Sequence, residues 1–152
     1  MQSDARIDAA RSRNMAAIRS RNTRPEMIVR RGLHARGLRY CLHGKDLPGR
    51  PDLVFPSRKT VLFVHGCFWH AHEGCKAFRL PKTRADQWAA KLYGNRTRDA
   101  RVKRDLEARG WRVFVVWECE IRDRTPDQIS ALMESLATRI RAGQARQGSG
   151  DA

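Results

Sequence analysis

PDLVFPSRKTVLFVHGC, residues 51–67, is the stretch on which the fold turns. Two apolar runs, Leu53-Val54-Phe55 and Val61-Leu62-Phe63-Val64, flank the break Pro56-Ser57-Arg58-Lys59. Short runs of β-branched and aromatic residues on either side of a proline-containing turn predict an antiparallel hairpin. Neither run alternates with polar residues, so other elements must cover both faces of its strands.

Working outward, helices supply that cover. Thr23-Arg24-Pro25-Glu26 has the T-x-x-E form of a capping box with proline in the first turn, and opens a helix that stops at Gly37. Upstream, residues 3–22 suit a basic helix with Ile7, Met15 and Ile18 as its few apolar positions. Downstream, Thr83 is placed to cap a helix over 84–95, interrupted near Gly94 and continued to Gly110. Trp111 to Trp117 reads as a third strand, with Trp111 and Trp117 as core residues. Thr125-Pro126-Asp127 opens a last helix that aligns Ile129, Leu132, Met133, Leu136 and Ile140 on one face. The expected class is α/β, one mixed sheet flanked by helices. The chain divides into a basic N-terminal arm (1–22), a main domain (23–142) and a disordered tail (143–152).

At 152 residues the chain suits a single domain, and 31 Lys+Arg against 16 Asp+Glu leave a net charge of +15. Arginine supplies most of the excess, and its planar fork suits phosphate oxygens and guanine edges, so nucleic acid is the expected partner. No apolar stretch approaches the ~18 residues of a membrane span, and the N-terminus lacks the apolar region of a secretory signal. A reducing compartment follows, where cysteines serve metal binding more often than disulfides.

Directly after the second strand, Cys67, His72 and Cys75 offer three soft ligands in one loop. Tetrahedral zinc requires a fourth, and Cys119, just past the third strand, is best placed to supply it. Cys41 has no evident partner and reads as a buried free thiol. His65 and His70 remain outside the zinc set. The hairpin would carry Asp52, at the start of its first strand, beside Val64 and His65 at the end of its second. A carboxylate there can hold Mg²⁺ against a phosphate, and an unliganded histidine can activate water or protonate the leaving oxygen.

Six segments of this chain, RSRNMAAIRSRNTRPE (11–26), GRPDLVFP (49–56), VLFVHGCFWHAHEGC (61–75), PKTRADQW (81–88), KLYGNRTRD (91–99) and GWRVFVVWEC (110–119), are similar to the very-short-patch-repair (Vsr) endonucleases. The resemblance implies a restriction-endonuclease-like fold with a structural zinc site, and an enzyme that nicks DNA 5′ of the thymine in a T:G mismatch left by deamination of 5-methylcytosine. It implies Asp52 as the carboxylate ligand of catalytic Mg²⁺, with the backbone carbonyl of Val64 as a second ligand. It makes His70 the general base, with His65 and Glu26 in support, and Cys67, His72, Cys75 and Cys119 the zinc ligands. Phe68, Trp69 and Trp88 match aromatics that wedge into the duplex, and the basic N-terminal helix, with Met15 and Arg19, matches one that lies across the DNA. The expected setting is the nucleoid of the bacterial cytoplasm, as a monomer, with mismatched double-stranded DNA and mismatch-repair proteins as partners and no membrane.

Two departures stand beside the match. The D/E-x-K half of the usual nuclease motif is missing, as it is throughout this family. The loop HAHEGC is one residue longer between its cysteines than the family pattern, which leaves both His70 and His72 within reach of the zinc position.

Physically, the loop's composition has a single logic. Opening a base step costs a few kcal/mol, and a base stacked on an aromatic ring returns about 1–3 kcal/mol. A wedge must be rigid to work, and zinc stiffens its loop. Two other functions fit the same residues. One is a zinc-stabilised DNA-binding module without catalysis, and the other a related nuclease without mismatch preference. Mg²⁺-dependent nicking, and comparison of T:G with matched duplexes, separate them.

Overall fold

The hairpin forms where its sequence places it. A computed structural model of the chain describes residues 23–143. The predicted basic helix, with Met15 and Arg19, and the predicted tail beyond Gly143 lie outside the described residues.

In chain order the elements are α1 (Arg24–His34), β1 (Cys41–Leu42), β2 (Leu53–Phe55), β3 (Thr60–His65), α2 (Ala85–Ala108), β4 (Arg112–Trp117) and α3 (Pro126–Ala142). They build one four-stranded mixed sheet in the order β1-β2-β3-β4. β2 and β3 pair antiparallel, Leu53 opposite Leu62 and Phe55 opposite Thr60. β4 returns parallel to β3 after the α2 crossover, with Thr60 opposite Arg112 and His65 opposite Trp117.

Side chains alternate across a pleated strand, so each strand feeds two cores. Leu53, Phe55, Leu62 and Val116 face Val29 and Leu33 of α1 and Met133, Leu136 and Ile140 of α3. Val54, Val61 and Phe63 face Leu106 and Val102 of α2. Both faces are therefore dry, which is why the strand sequences do not alternate. Gly32 lets α1 and α3 meet closely, since a Cβ there would lie 2.4 Å from Met133 Cγ. Gly37 ends the α1 segment in the left-handed region, at φ 81°, as its position predicts.

Four local expectations need correction. Thr83 does not cap α2; the helix begins after Arg84, itself left-handed at φ 57° and without a side-chain cap bond. The helix also runs unbroken through Gly94. One interior glycine costs only about 1 kcal/mol, and the buried Leu92 and Leu106 anchor the helix on either side of it. At α1, Thr23 accepts the N–H of Glu26 at 3.4 Å, but Glu26 does not complete a capping box. Its side chain turns inward and is only 2% exposed, because it serves the site described below. Lastly, Cys41 is exposed, on the two-residue edge strand β1 that local sequence is too short to announce.

Candidate active site and metal cluster

The functional residues gather at the C-terminal ends of β3 and β4. Asp52 stands just before β2, and the antiparallel register carries its carboxylate to the last turn of β3, where Oδ2 accepts the Val64 N–H at 2.7 Å. Glu26 reaches the same carboxylate from α1. It is held by Arg30 Nη1 at 3.4 Å and by His43 Nε2 at 3.3 Å, while the His43 N–H donates to the Asp52 carbonyl at 3.0 Å.

Burial pushes the Asp52 carboxyl up to about 7, with the Glu26 charge adding to the rise and the Val64 N–H opposing it. Two acids in one dry pocket are an arrangement that a cation relieves. A carboxyl raised from 3.8 to about 7 on folding stabilises the fold fully below 3.8, and that contribution is lost as pH rises through 7. The cation-free protein is thus expected to be about 1 kcal/mol less stable at pH 8 than at pH 6 from this group. Thermal melts at both pH values, with and without Mg²⁺, check this; equal Mg²⁺ effects at the two would count against the acid pair.

Next along β3, His65 points to the α2 face. It is 7% exposed, and burial, reinforced by His70, lowers its pKa to about 3, so it is neutral at physiological pH. Its Nδ1 is buried without a hydrogen-bond partner. The His70 ring stacks on it at 3.8 Å and 6°. The His70 Nδ1 meets Asp99 Oδ2 of α2 at 2.6 Å. A carboxylate can only accept, so this contact favours the tautomer with the proton on Nδ1, which in a neutral ring leaves the lone pair on Nε2. His65, His70 and Asp99 each bring a possible ligand atom close together. The two imidazole rings, however, are nearly parallel and 3.8 Å apart, so one ion cannot lie in both ring planes.

A second group behaves differently. Cys67, His72, Cys75 and Cys119 place their donor atoms within 4.8 Å of one another, with His72 Nδ1 3.6 Å from Cys119 Sγ. Three thiols and an imidazole converging from a loop and a neighbouring strand end can hold a metal ion. Burial pushes the Cys67 thiol up to about 12, so metal uptake must displace its proton. Of the two competing histidines, His72 turns to the thiols and His70 to Asp99.

The loop between these groups is clasped by α2. Asn95 Nδ2 donates to the Trp69 carbonyl at 3.0 Å, and Arg96 Nε to the Ala71 carbonyl at 3.1 Å. Ala71 needs that anchor, for it sits in the left-handed region at φ 48°. Trp69 departs from the exposure expected of a wedge: it is 8% exposed and packs with Ala71 and Leu92. Phe68 and Trp88 lie half-buried on it, at 5.2 and 6.1 Å between ring centroids. Lys91 Nζ is 5.3 Å from the Trp69 ring and 5.6 Å from that of Trp88. Trp117, expected in the core, instead stands among three histidines, His65 of β3 and His70 and His72 of the loop.

Sequence reasoning missed Asp99, His43, Asn95 and Lys91. Asp99 is a lone acid between basic residues of α2, and its one local signal, opposite charge three and four residues away at Arg96 and Lys103, reads equally well as a solvated helix face.

Comparison with known proteins shows the family to which the chain belongs. The family model for the DNA mismatch endonuclease Vsr matches residues 3–76. The type II nicking enzyme V.XorIIP of Xanthomonas oryzae pv. oryzae is 60% identical over 109 residues, 72% of this chain and 79% of the relative. The DNA mismatch endonuclease Vsr of Escherichia coli K12 is 42% identical over 133 residues, 88% and 85% of the two chains. The type II nicking enzyme V.NaeI of Lentzea aerocolonigenes is 38% identical over 138 residues, 87% and 80%. With such coverage at such identity, this chain belongs to the Vsr family of DNA endonucleases.

Proposed function

We propose that the protein is a Mg²⁺-dependent strand-nicking endonuclease that cuts 5′ of the thymine in T:G mismatches and so starts repair of deaminated 5-methylcytosine. The observation that carries the proposal is the continuous contact from Asp52 through Val64 and His65 to His70 and Asp99, beside the Phe68–Trp69–Trp88 cluster. The bound cation would supply charge neutralisation and orientation at the scissile phosphate, with Asp52 and the Val64 carbonyl as its protein ligands. Glu26 supports Asp52. His70 accepts the proton of the attacking water on Nε2, while Asp99 fixes the tautomer and His65 fixes the ring plane. The fold in this reading is restriction-endonuclease-like. Residues 23–142 form the catalytic domain and the basic arm 1–22, with Met15 and Arg19, lies along the duplex.

The Cys67–His72–Cys75–Cys119 group is proposed to hold structural zinc. Zinc bonds of about 2.3 Å to sulfur and 2.0–2.1 Å to nitrogen set tetrahedral S···N separations of about 3.6 Å, and His72 Nδ1 lies 3.6 Å from Cys119 Sγ. Cys119→Ser should lower bound zinc from about one per chain and lower the melting temperature, whereas Cys41→Ser, on the exposed edge strand, should do neither. Metal analysis of the purified variants reads this directly; full zinc in Cys119→Ser would place the fourth ligand elsewhere.

The buried position of Trp69 divides the wedge between two roles. Trp69 is the base of the platform, and Phe68 and Trp88 are the faces available to DNA. Trp69→Ala is expected to cost about 3–5 kcal/mol of stability. Phe68→Ala should melt nearly as wild type yet lose roughly tenfold in T:G over C:G nicking, from ~1–3 kcal/mol of lost stacking. Strand-specific cleavage of T:G duplexes with varied flanking pairs, against matched controls, tests the whole proposal; equal nicking of matched and mismatched duplexes would leave a nickase without mismatch preference.

A further inference from the structure

We infer that Trp117 is a positioning residue whose indole forms the wall through which the Cys67–His72–Cys75–Cys119 cluster sets the place of His70. The inference rests on the proposed role of His70 as the proton acceptor.

Strand register brings Trp117 to the site. It is the last residue of β4, opposite His65 in the parallel ladder. Its parity with Val113 and Val115 turns it to the α2 face, yet it joins none of the apolar clusters formed by the described residues. Its neighbours are imidazoles. The His72 ring lies flat on the indole at 3.8 Å and 5°. His65 and His70 meet it edge-on, both at 75°, at 5.2 and 6.4 Å. Four rings thus form two parallel pairs set nearly perpendicular, one pair holding the metal-cluster histidine and the other the proton acceptor.

The backbone ties the two pairs together. His70 and His72 are two residues apart in one loop, and both rings contact the indole. Trp117 itself is two residues from Cys119, and its N–H is held by Glu120 Oε2 at 2.9 Å. A metal on His72 Nδ1 and Cys119 Sγ would therefore clamp the indole from both its ring face and its chain. An aliphatic side chain of similar bulk would fill the space but could not meet one ring face-on and two edge-on. Only a flat aromatic transmits the orientation. On this account the metal cluster governs catalysis without touching substrate, because its loss frees the wall on which the His65–His70 stack rests.

The test uses the full-length protein with its native metal, and compares Trp117→Leu with Trp117→Phe. The readouts are the single-turnover nicking rate and Kd on a T:G duplex, the rate of metal release to a chelator, the imidazole proton resonances of His70 and His72, and the melting temperature. Wild type should show His72 resonances shifted upfield by the indole ring current. Trp117→Leu should abolish that shift, speed metal release, and slow nicking by about tenfold or more while Kd stays within about twofold, the pattern of misplacement rather than lost binding. Trp117→Phe should recover most of the rate and metal retention. Wild-type nicking and metal retention in Trp117→Leu would overturn the inference. So would a Phe variant as impaired as Leu with both melting far below wild type, which is bulk packing, or a wild-type protein that purifies without metal. If wild type does not nick T:G duplexes, the nickase proposal fails, while metal release and imidazole shifts still judge Trp117.

Discussion

Asp52→Asn is expected to lower nicking of a T:G duplex by more than about a hundredfold, since losing the cation removes several kcal/mol of transition-state stabilisation. The substitution conserves volume, and the amide oxygen can still accept the Val64 N–H that now binds Oδ2 at 2.7 Å. What it deletes is the negative charge. DNA binding should survive or tighten, because phosphate contacts come from basic residues elsewhere and one anion has left the site. Stability should rise at pH 8, where wild type must ionise a buried carboxyl beside Glu26, rise somewhat less at pH 6, and change little only below 3.8, where the carboxyl is protonated both folded and unfolded. A merely structural aspartate predicts the opposite pattern, lower melting at every pH with nicking falling in proportion. Gel-shift affinity, melting curves and single-turnover cleavage on one preparation distinguish the two. Residual cutting above about a hundredth of wild type would remove Asp52 from the proposed ligand set.

His70→Ala carries the second large effect, a loss of about 10²–10⁴ in the single-turnover rate, the usual worth of a positioned general base. Its metal content should match wild type, because His70 faces Asp99 rather than the thiols. His72→Ala should show the reverse priority, with bound metal lost first and rate falling as a consequence. Asp99→Asn extends the argument. An amide can offer N–H to Nδ1, which would move the imidazole proton to Nε2 and block proton acceptance. A rate loss of about a hundredfold, comparable to ~1 Å of misplacement, is expected with binding intact. Metal loss in His70→Ala with full metal in His72→Ala would exchange the two histidines.

These tests bear on parts of the molecule that were unequally visible beforehand. The hairpin, α3 and the strand at Trp111–Trp117 were legible because each is announced locally. Apolar runs end at turn residues, and helical spacing follows a Thr-Pro start. Clustering of Cys67, His72 and Cys75 was legible for the same reason: the donors lie within one short loop. From that reading the hairpin also carried Asp52 to the end of the second strand, where its carboxylate accepts the Val64 N–H.

Only the tertiary structure decided the rest. Asp99 lies 29 residues from His70 and meets it because α2 crosses over the strand ends. Glu26 looked like half of a capping box until burial beside Asp52 gave its charge a different partner. Trp69 and Trp117 are both large aromatics in apolar sequence; one proved buried where exposure was expected, and the other left the core for a stack of histidines. Local sequence determines which conformation a segment prefers, through turn chemistry and the period of its apolar residues. Which face of a side chain meets which partner is settled by the packing of segments far apart in the chain, where one register and one crossover bring together groups that no window of sequence contains.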